Sequence, residues 1–468
     1  MPLTPDNRPK NPLDLPEIRT RIARFLNRQD CLNCMRVSQD WFQDFTPALW
    51  HTVDFATDTT AFERVTPETL DKYGGFIAQT VNISTTGHLK TLQHSKISSL
   101  VIIKAQLANC CIFYQLLCDT IRRSQGVLTW VDICAKPPNP DTLAEMWKDG
   151  LHYIHVLDAI AAPPPPLTER AEVARTNSLT TLQFDRICIT RESFSSLLQR
   201  CPSLRLLALC QVIISNHTPS LILFSGSQLR YLVCSIAQVW KLDPNDNSPP
   251  CLLAHFPLLK SWSVTSTQRS ADITSTLMSQ DITRYCPHLK NIRIYHGDSA
   301  TASDLLAEAF VGLESCTLSH KLFDASTILG LIAHQDSLTS VSITNAGVII
   351  QDESSLKCLY MIPRLCRRLQ FLSMESIAYE IERVESRKWV CKDLRELRVR
   401  FKGLDTPNEI DGCLKQLCSM RQSGVTSLAQ PMAPDAIVTR IAHHLLQFKQ
   451  LRTVWLGSKD YYLPLSPI

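Results

Sequence analysis

Residue pairs able to support catalysis are few in this chain of 468 residues, and each lacks its second half. Cys31-x-x-Cys34 has the spacing of a zinc or redox pair, but no second pair follows at zinc-finger distance. Both cysteines lie in a helical pattern, where the residue type serves as a small apolar side chain. His443 and His444 are adjacent, so on a helix they diverge by about 100° and cannot hold one ion together. Gly226-Ser227 lacks the second glycine of a nucleophile elbow. Gly74-Gly75 stands alone, and no glycine-rich phosphate loop is present. These observations predict no catalytic residue, no metal and no cofactor. What remains is recognition chemistry. Arg293, Arg398 and Arg400 carry guanidinium forks suited to carboxylates or phosphates. Tyr231, Tyr295 and Phe371 are aromatic, a type enriched at binding hot spots.

All six residues occupy matching places in a recurring phrase: an apolar residue, two variable ones, apolar, one variable, apolar. The copies are Leu179/Leu182/Phe184, Leu204/Leu207/Leu209, Leu229/Leu232/Cys234, Leu259/Trp262/Val264 and Leu289/Ile292/Ile294. Leu313/Cys316/Leu318, Leu338/Val341/Ile343, Leu369/Leu372/Met374, Leu394/Leu397/Val399 and Leu451/Val454/Leu456 follow. Weaker copies precede them at Ala78/Val81/Ile83, Ile97/Leu100/Ile102, Leu128/Val131/Ile133 and Leu151/Ile154/Val156. From Leu179 to Leu394 the steps are 25, 25, 30, 30, 24, 25, 31 and 25 residues. The final step, to Leu451, is about double, which predicts a degraded unit near Val425/Leu428.

A period of about 20–30 residues with this phrase is a leucine-rich-repeat signature. Its last two apolar positions share one face of a short strand. The side chains between and beside them point the other way, onto a concave sheet face, and Tyr231, Arg293, Tyr295, Phe371, Arg398 and Arg400 fall there. They are the expected target-binding residues. One unit cannot bury its own apolar face, so units must stack. Return segments such as 192–201, 303–310, 326–334, 353–364 and 434–448 carry helical patterns. Cys201-Pro202, Phe256-Pro257 and Cys286-Pro287 stop the chain before the next strand.

The opening stretch, 12–57, is different. Leu15-Pro16-Glu17 starts a helix with proline where its missing N–H is harmless. Ile18, Ile22, Phe25 and Leu26 share a face of it. A second helix carries Cys31, Leu32, Met35 and Val37. Ser38 caps a third with Trp41, Phe42 and Phe45, which Pro47 ends before an extended 49–53 tail. About 45 residues make a small core, yet many large apolar side chains are spent on it, so some are expected to face a partner.

This stretch resembles an F-box: Leu15-Pro16 with Ile18, the Ile22/Phe25-Leu26 face, the Cys31 to Val37 helix, and Ser38-x-x-Trp41-Phe42 followed by Leu49-Trp50. The repeats resemble the leucine-rich repeats of F-box proteins, without a regular asparagine-ladder position. The resemblance implies docking to the Skp-type adaptor of a cullin-RING ubiquitin ligase. It would place Leu15, Pro16, Ile18, Ile22, Leu32, Val37 and Trp41 at the adaptor. The implied function is substrate recognition for a Skp–cullin–F-box ligase, with ubiquitin transfer supplied by other subunits. The other reading is a non-catalytic interaction scaffold uncoupled from ubiquitination.

Apolar residues are 44% and charged residues 20%, the balance of a globular chain. A net charge of +4 gives no argument for nucleic acid or an anionic membrane. The 18 cysteines are scattered and the start is polar and proline-rich. Reduced thiols in the cytoplasm, the nucleus or both are therefore expected. The expected α/β architecture is a disordered 1–11, an F-box at 12–57, a curved repeat solenoid at 75–460 with a parallel sheet on its concave face, and a capping tail at 461–468. The 161–177 proline-rich insertion and the 243–250 segment read as loops.

Overall fold

The computed structural model describes residues 12–56, 65–93, 95–105, 111–135, 156, 159–160, 178–185, 187–215, 228–239, 252–267, 274–308, 310, 312–319, 324–344, 360–386, 388–423, 437–457 and 460–462. The expectations for 1–11, 161–177, 243–250 and 463–468 lie outside them. The chain divides into two compact units, 1–228 and 229–468. This boundary falls inside the expected solenoid rather than between it and the opening helices.

The first unit opens with α1 (Pro16–Ala23), α2 (Arg28–Cys34) and α3 (Gln39–His51). The Asn27 side chain accepts from the Asp30 N–H at 2.9 Å, and Ser38 Oγ accepts from the Trp41 N–H at 3.3 Å. Each satisfies a donor that the first turn would otherwise leave bare. Ala23, Cys31 and Phe45 form the core of this bundle, ringed by Ile22, Leu26, Met35, Trp41, Ala48 and Leu49. Trp41 lies flat on Phe45, with centroids 5.3 Å apart. Arg19 is buried, paired to Asp44 at 2.5 Å and donating to the Leu13 carbonyl at 2.9 Å.

Pro47 does not end α3, which runs on to His51. An interior proline costs about 3 kcal/mol. Here the continued helix keeps Ala48 and Leu49 against the same core as Phe45, and that packing offsets the loss. The extended segment is correspondingly shorter, β1 (Thr52–Asp54), and it already belongs to the sheet. The sheet thus starts at residue 52 and not at 75.

The remaining strands of the main sheet in this unit are β2 (Gln79–Val81), β3 (Ser99–Ala105), β4 (Trp130–Ala135), β5 (Thr181–Asp185) and, after β6 (Cys188–Thr190), β7 (Leu206–Cys210). Order follows the chain, and each pairing from β1 to β5, and of β5 with β7, is parallel. β6 pairs separately with β8 (Ile213–Ser215). The intervening helices are α4 (Pro67–Tyr73), α5 (Thr86–Thr91), α6 (Cys111–Ser124) and α7 (Arg191–Arg200).

Two of the weaker phrase copies are corrected here. The residues buried around β2 are Ile77, Thr80 and Ile83, so the phrase starts at Ile77 instead of Ala78. Asn82 at φ 61° turns the chain by one place and returns Ile83 to the core. The copy at Leu151/Ile154/Val156 gives no strand between its neighbours, because β4 pairs directly with β5, Trp130 opposite Thr181. Val156 is buried but helical, and Leu151 and Ile154 lie outside the described residues.

The second unit repeats the pattern with β9 (Tyr231–Cys234), β10 (Ser261–Val264), β11 (Asn291–Ile294), β12 (Ser315–Ser319), β13 (Ser340–Thr344), β14 (Phe371–Tyr379), β15 (Glu396–Phe401) and β16 (Thr453–Leu456). All eight are parallel and ordered along the chain. All ten clear copies of the phrase keep their three apolar residues buried in the two units. Their helices are α8 (Ile236–Val239), α9 (Ser275–Tyr285), α10 (Ser299–Glu308), α11 (Ala325–Ile332), α12 (Ile362–Leu365) and α13 (Ile381–Glu385).

The long step before Leu451 holds two described helices, α14 (Pro407–Gln422) and α15 (Ile437–Leu446), and β15 pairs directly with β16. The expected unit at Val425/Leu428 lies outside the described residues. β17 (Asp460–Tyr462) then pairs antiparallel with β16, so Tyr461 and Tyr462, the described start of the expected tail, line the sheet edge.

One recurring turn sets the entry to several strands. The N–H of Leu204, Leu259, Leu289, Leu369 and Leu394 each donates to the carbonyl three residues earlier. That earlier residue is Cys201, Phe256, Cys286, Cys366 or Cys391, and all five are buried. Burial pushes the thiols of these four cysteines up to about 12, so they pack as neutral groups. Cysteine is regular at the foot of the strand, not at the asparagine-ladder position.

Candidate interaction surfaces

The opening helices close their own core and leave other apolar groups outside. Phe45 is 0% exposed, whereas Phe25 is 80% and Val37 64% exposed. Leu13, Leu15, Leu32 and Phe42 are exposed as well. The seven residues assigned to the adaptor separate accordingly. Leu15, Pro16, Leu32 and Val37 lie on the surface and Ile18 is half-buried. Ile22 and Trp41 pack against the bundle core. The spacing puts Phe25 on one face of the first helix with Ile18, Ile22 and Leu26. That helix ends at Ala23, so Phe25 sits past it in a turn and faces outward. Phe42, a third-helix residue by its spacing, is also on the surface, and that spacing does not distinguish the outer side.

On the second unit's sheet, register lines up the outward side chains in rows. Tyr231, Ser261, Asn291, Ser315, Ser340, Phe371, Glu396 and Thr453 form one row. Ser263, Arg293, Thr317, Ser342, Ser373, Arg398 and Trp455 form the next. Tyr231 and Arg293 lie two strands apart and Tyr295 is on the same strand as Arg293. Arg398 and Arg400 sit four strands away from Arg293, roughly 19 Å at strand spacing. The six target-binding candidates fall in two clusters, Tyr231/Arg293/Tyr295 and Phe371/Arg398/Arg400. They also differ in charge. Arg398 Nε is bound to Glu396 Oε1 at 2.7 Å. Arg293 is exposed and makes no ion pair among the described residues. Tyr231 is 49% exposed.

The first unit's rows differ in chemistry. Cys134, Asp185 and Cys210 are register partners on three neighbouring strands, with Cys134 Sγ donating to Asp185 Oδ2 at 3.1 Å. Asp132 lies two residues before Cys134, and its Oδ1 is buried without a hydrogen-bond partner among the described residues. Burial, with Asp185 nearby, pushes its carboxyl up to about 6. The folded-state value lies above the ordinary one, so stability from this carboxyl is complete below about 3.8 and lost as pH rises through about 6. Asp132→Asn should remove that slope and raise the melting temperature at pH 7.5. Each kcal/mol recovered corresponds to roughly 2–4 °C in a unit of this size. Equal melting temperatures for the two proteins at pH 7.5 would contradict this assignment.

Among the described residues no group of three or more His, Cys, Asp or Glu side chains is placed to hold a metal ion. No described helix is long and apolar enough to cross a membrane. No known protein-family model matches the chain, and no curated protein matches it.

Proposed function

We propose that this chain is the substrate-recognition subunit of a Skp–cullin–F-box ubiquitin ligase. The helices of 12–57 dock the Skp-type adaptor, and through it a cullin; the outward sheet face of the repeats receives a target protein. The supporting observation is the excess of large apolar side chains outside the closed core of α1–α3, with Phe25 and Val37 the most exposed. A bundle this small has little reason to leave such groups in water unless another protein covers them. The contribution to ubiquitination is positional. Holding the target beside the transferring enzyme raises the effective concentration of its lysines, with no chemistry asked of this chain.

Affinity purification of the full chain tests the reading. Adaptor and cullin should both be recovered with the unaltered protein, and both should be lost with Leu32→Asp/Val37→Asp, two surface substitutions that leave the bundle core alone. Adaptor without cullin would favour an interaction scaffold. Recovery of neither would end the proposal.

A further inference from the structure

The entry turn of the second unit's strands is built in two ways. Before β10 and β11, the buried Phe256 and Cys286 are followed by Pro257 and Pro287, which fix the backbone. Before β14, β15 and β16, the buried Cys366, Cys391 and Phe448 are followed instead by Arg367, Lys392 and Lys449. The closing bond is the same in all five turns: the leucine N–H donates to the carbonyl of the buried residue. The turn itself therefore has no need of charge. Arg368 adds a second cation before β14. Arg395 and Arg452 add one each before β15 and β16, and the Arg452 N–H donates to the Arg395 carbonyl at 2.7 Å.

All six cations are exposed, and none makes an ion pair among the described residues. Lys392 Nζ donates to a neutral acceptor, Gln447 Oε1, at 3.0 Å. Its amine is held below the usual value by burial first and then by Lys388, a further cation nearby. Asp393 is the single carboxylate in the three turns. Lys290 and Arg440, by contrast, are answered by Glu314 at 2.5 Å and Glu382 at 2.8 Å. Like charges thus gather over three neighbouring strands, about 10 Å of edge, with one carboxylate set against six cations.

The chemistry that fits is a run of carboxylates. Four of the six cations are arginines, whose forks match carboxylates bidentately. One exposed pair contributes little, so the partner must offer several anions along the edge at once. A single nucleic-acid strand would supply phosphates, but its bases need aromatic platforms. A bilayer surface would take apolar anchors. Among the described residues, the exposed aromatic and large aliphatic side chains all lie outside these turns.

We propose that the entry edge of β14–β16 docks an acidic segment of a partner protein, a run of Asp and Glu side chains laid across the three strands. The docking uses neither the outward sheet rows nor α1–α3, and it stands whether or not the chain serves a ligase.

The probe is a labelled peptide of about eight glutamates, long enough when extended to cross all three strands. Its affinity for the full chain is measured beside a glutamine peptide of the same length and a single-stranded oligonucleotide of matching charge. Vesicles of phosphatidylcholine with phosphatidylserine complete the set. The glutamate peptide should bind at least about tenfold more tightly than the glutamine one at about 50 mM salt, and the advantage should shrink by about 500 mM. Arg395→Gln/Arg452→Gln and Arg367→Gln/Lys449→Gln should each cut that advantage by about fivefold or more. Lys260→Gln, which removes an exposed cation just before β10, should leave it intact. All these positions are exposed, and matching melting temperatures would establish that the fold is kept. Equal affinity for the two peptides, an advantage unchanged in both double variants, or an equal loss in Lys260→Gln would overturn the proposal. Tighter binding of the oligonucleotide or of the vesicles than of the glutamate peptide would overturn it in favour of that partner.

Discussion

Phe45→Ala should destabilise the first unit by roughly 3–5 kcal/mol, whereas Phe25→Ala should leave its stability unchanged within about 0.5 kcal/mol. The two residues are the same type, twenty positions apart in the same bundle. Phe45 is fully enclosed by Ala23, Cys31 and the flat face of Trp41, so its removal leaves a cavity that neighbouring side chains can fill only in part. Phe25 touches solvent over most of its surface. Adaptor binding should respond in a different pattern, with Phe25→Ala weakening capture although the fold is intact. Thermal unfolding and adaptor titration on the two variants check both halves. If Phe25→Ala lowers the melting temperature as much as Phe45→Ala, the outer side chain belongs to the core and the docking face must be sought elsewhere.

The second large effect is expected at Arg421, near the end of α14. Its guanidinium is buried and donates to two backbone carbonyls, Leu451 through Nη1 and Phe448 through Nη2, both at 2.8 Å. These carbonyls lie in the turn that delivers the chain from α15 into β16. Burial lowers the pKa of Arg421, and its forked donors reach the Leu451 carbonyl and give a second donor to the Phe448 carbonyl, which also accepts from the Leu451 N–H at 3.1 Å. Loss of the donor to the Leu451 carbonyl costs roughly 1–3 kcal/mol. Arg421→Ala should therefore lower the melting temperature of the second unit by on the order of 5 °C. Arg421→Lys, with one compact ammonium in place of a fork, should recover only part of the loss. A melting curve for Arg421→Ala that overlays the unaltered protein would refute this account.

The repeat was legible because it is written in a period that has one physical meaning. An apolar pair two residues apart, with a third three residues earlier, dictates a strand with its foot in the core, and all ten clear copies behave so. Legibility failed where backbone conformation decides. Asn82 in the left-handed region shifts the β2 phrase by one place, and nothing in the apolar spacing announces it. The copy ending at Val156 has the right residue types but no neighbouring strand to pair with, since β4 and β5 already meet. Pro47 has the reverse history: local propensity argues for a helix end, and packing of Ala48 and Leu49 overrides it.

The candidate surfaces were legible in part for the same reason. Alternation along a strand tells which side a residue takes, so Arg293 and Tyr231 were placeable on the outward face. It does not tell which arginine is already answered by a carboxylate two residues back, as Arg398 is by Glu396. On the opening helices the outer and inner sides depend on where each helix stops. A difference of two residues at Ala23 moves Phe25 from core to surface. The Cys134–Asp185–Cys210 row joins positions as much as 76 residues apart in sequence, and only strand register brings them side by side.

The junction after α3 has a mechanical meaning. His51 ends the helix and Thr52 begins the strand with no spacer, while the His51 carbonyl accepts from the Ala78 N–H at 3.0 Å and Thr52 Oγ1 donates to Gln79 Oε1 at 3.2 Å. Helical bundle and first strand are welded, not hinged. Whatever grips the bundle therefore inherits a fixed bearing on the first unit's sheet, and the aim of the assembly is set by backbone geometry instead of by a swinging tether. A flexible insert placed between residues 51 and 52 would leave both ends folded and destroy that aim.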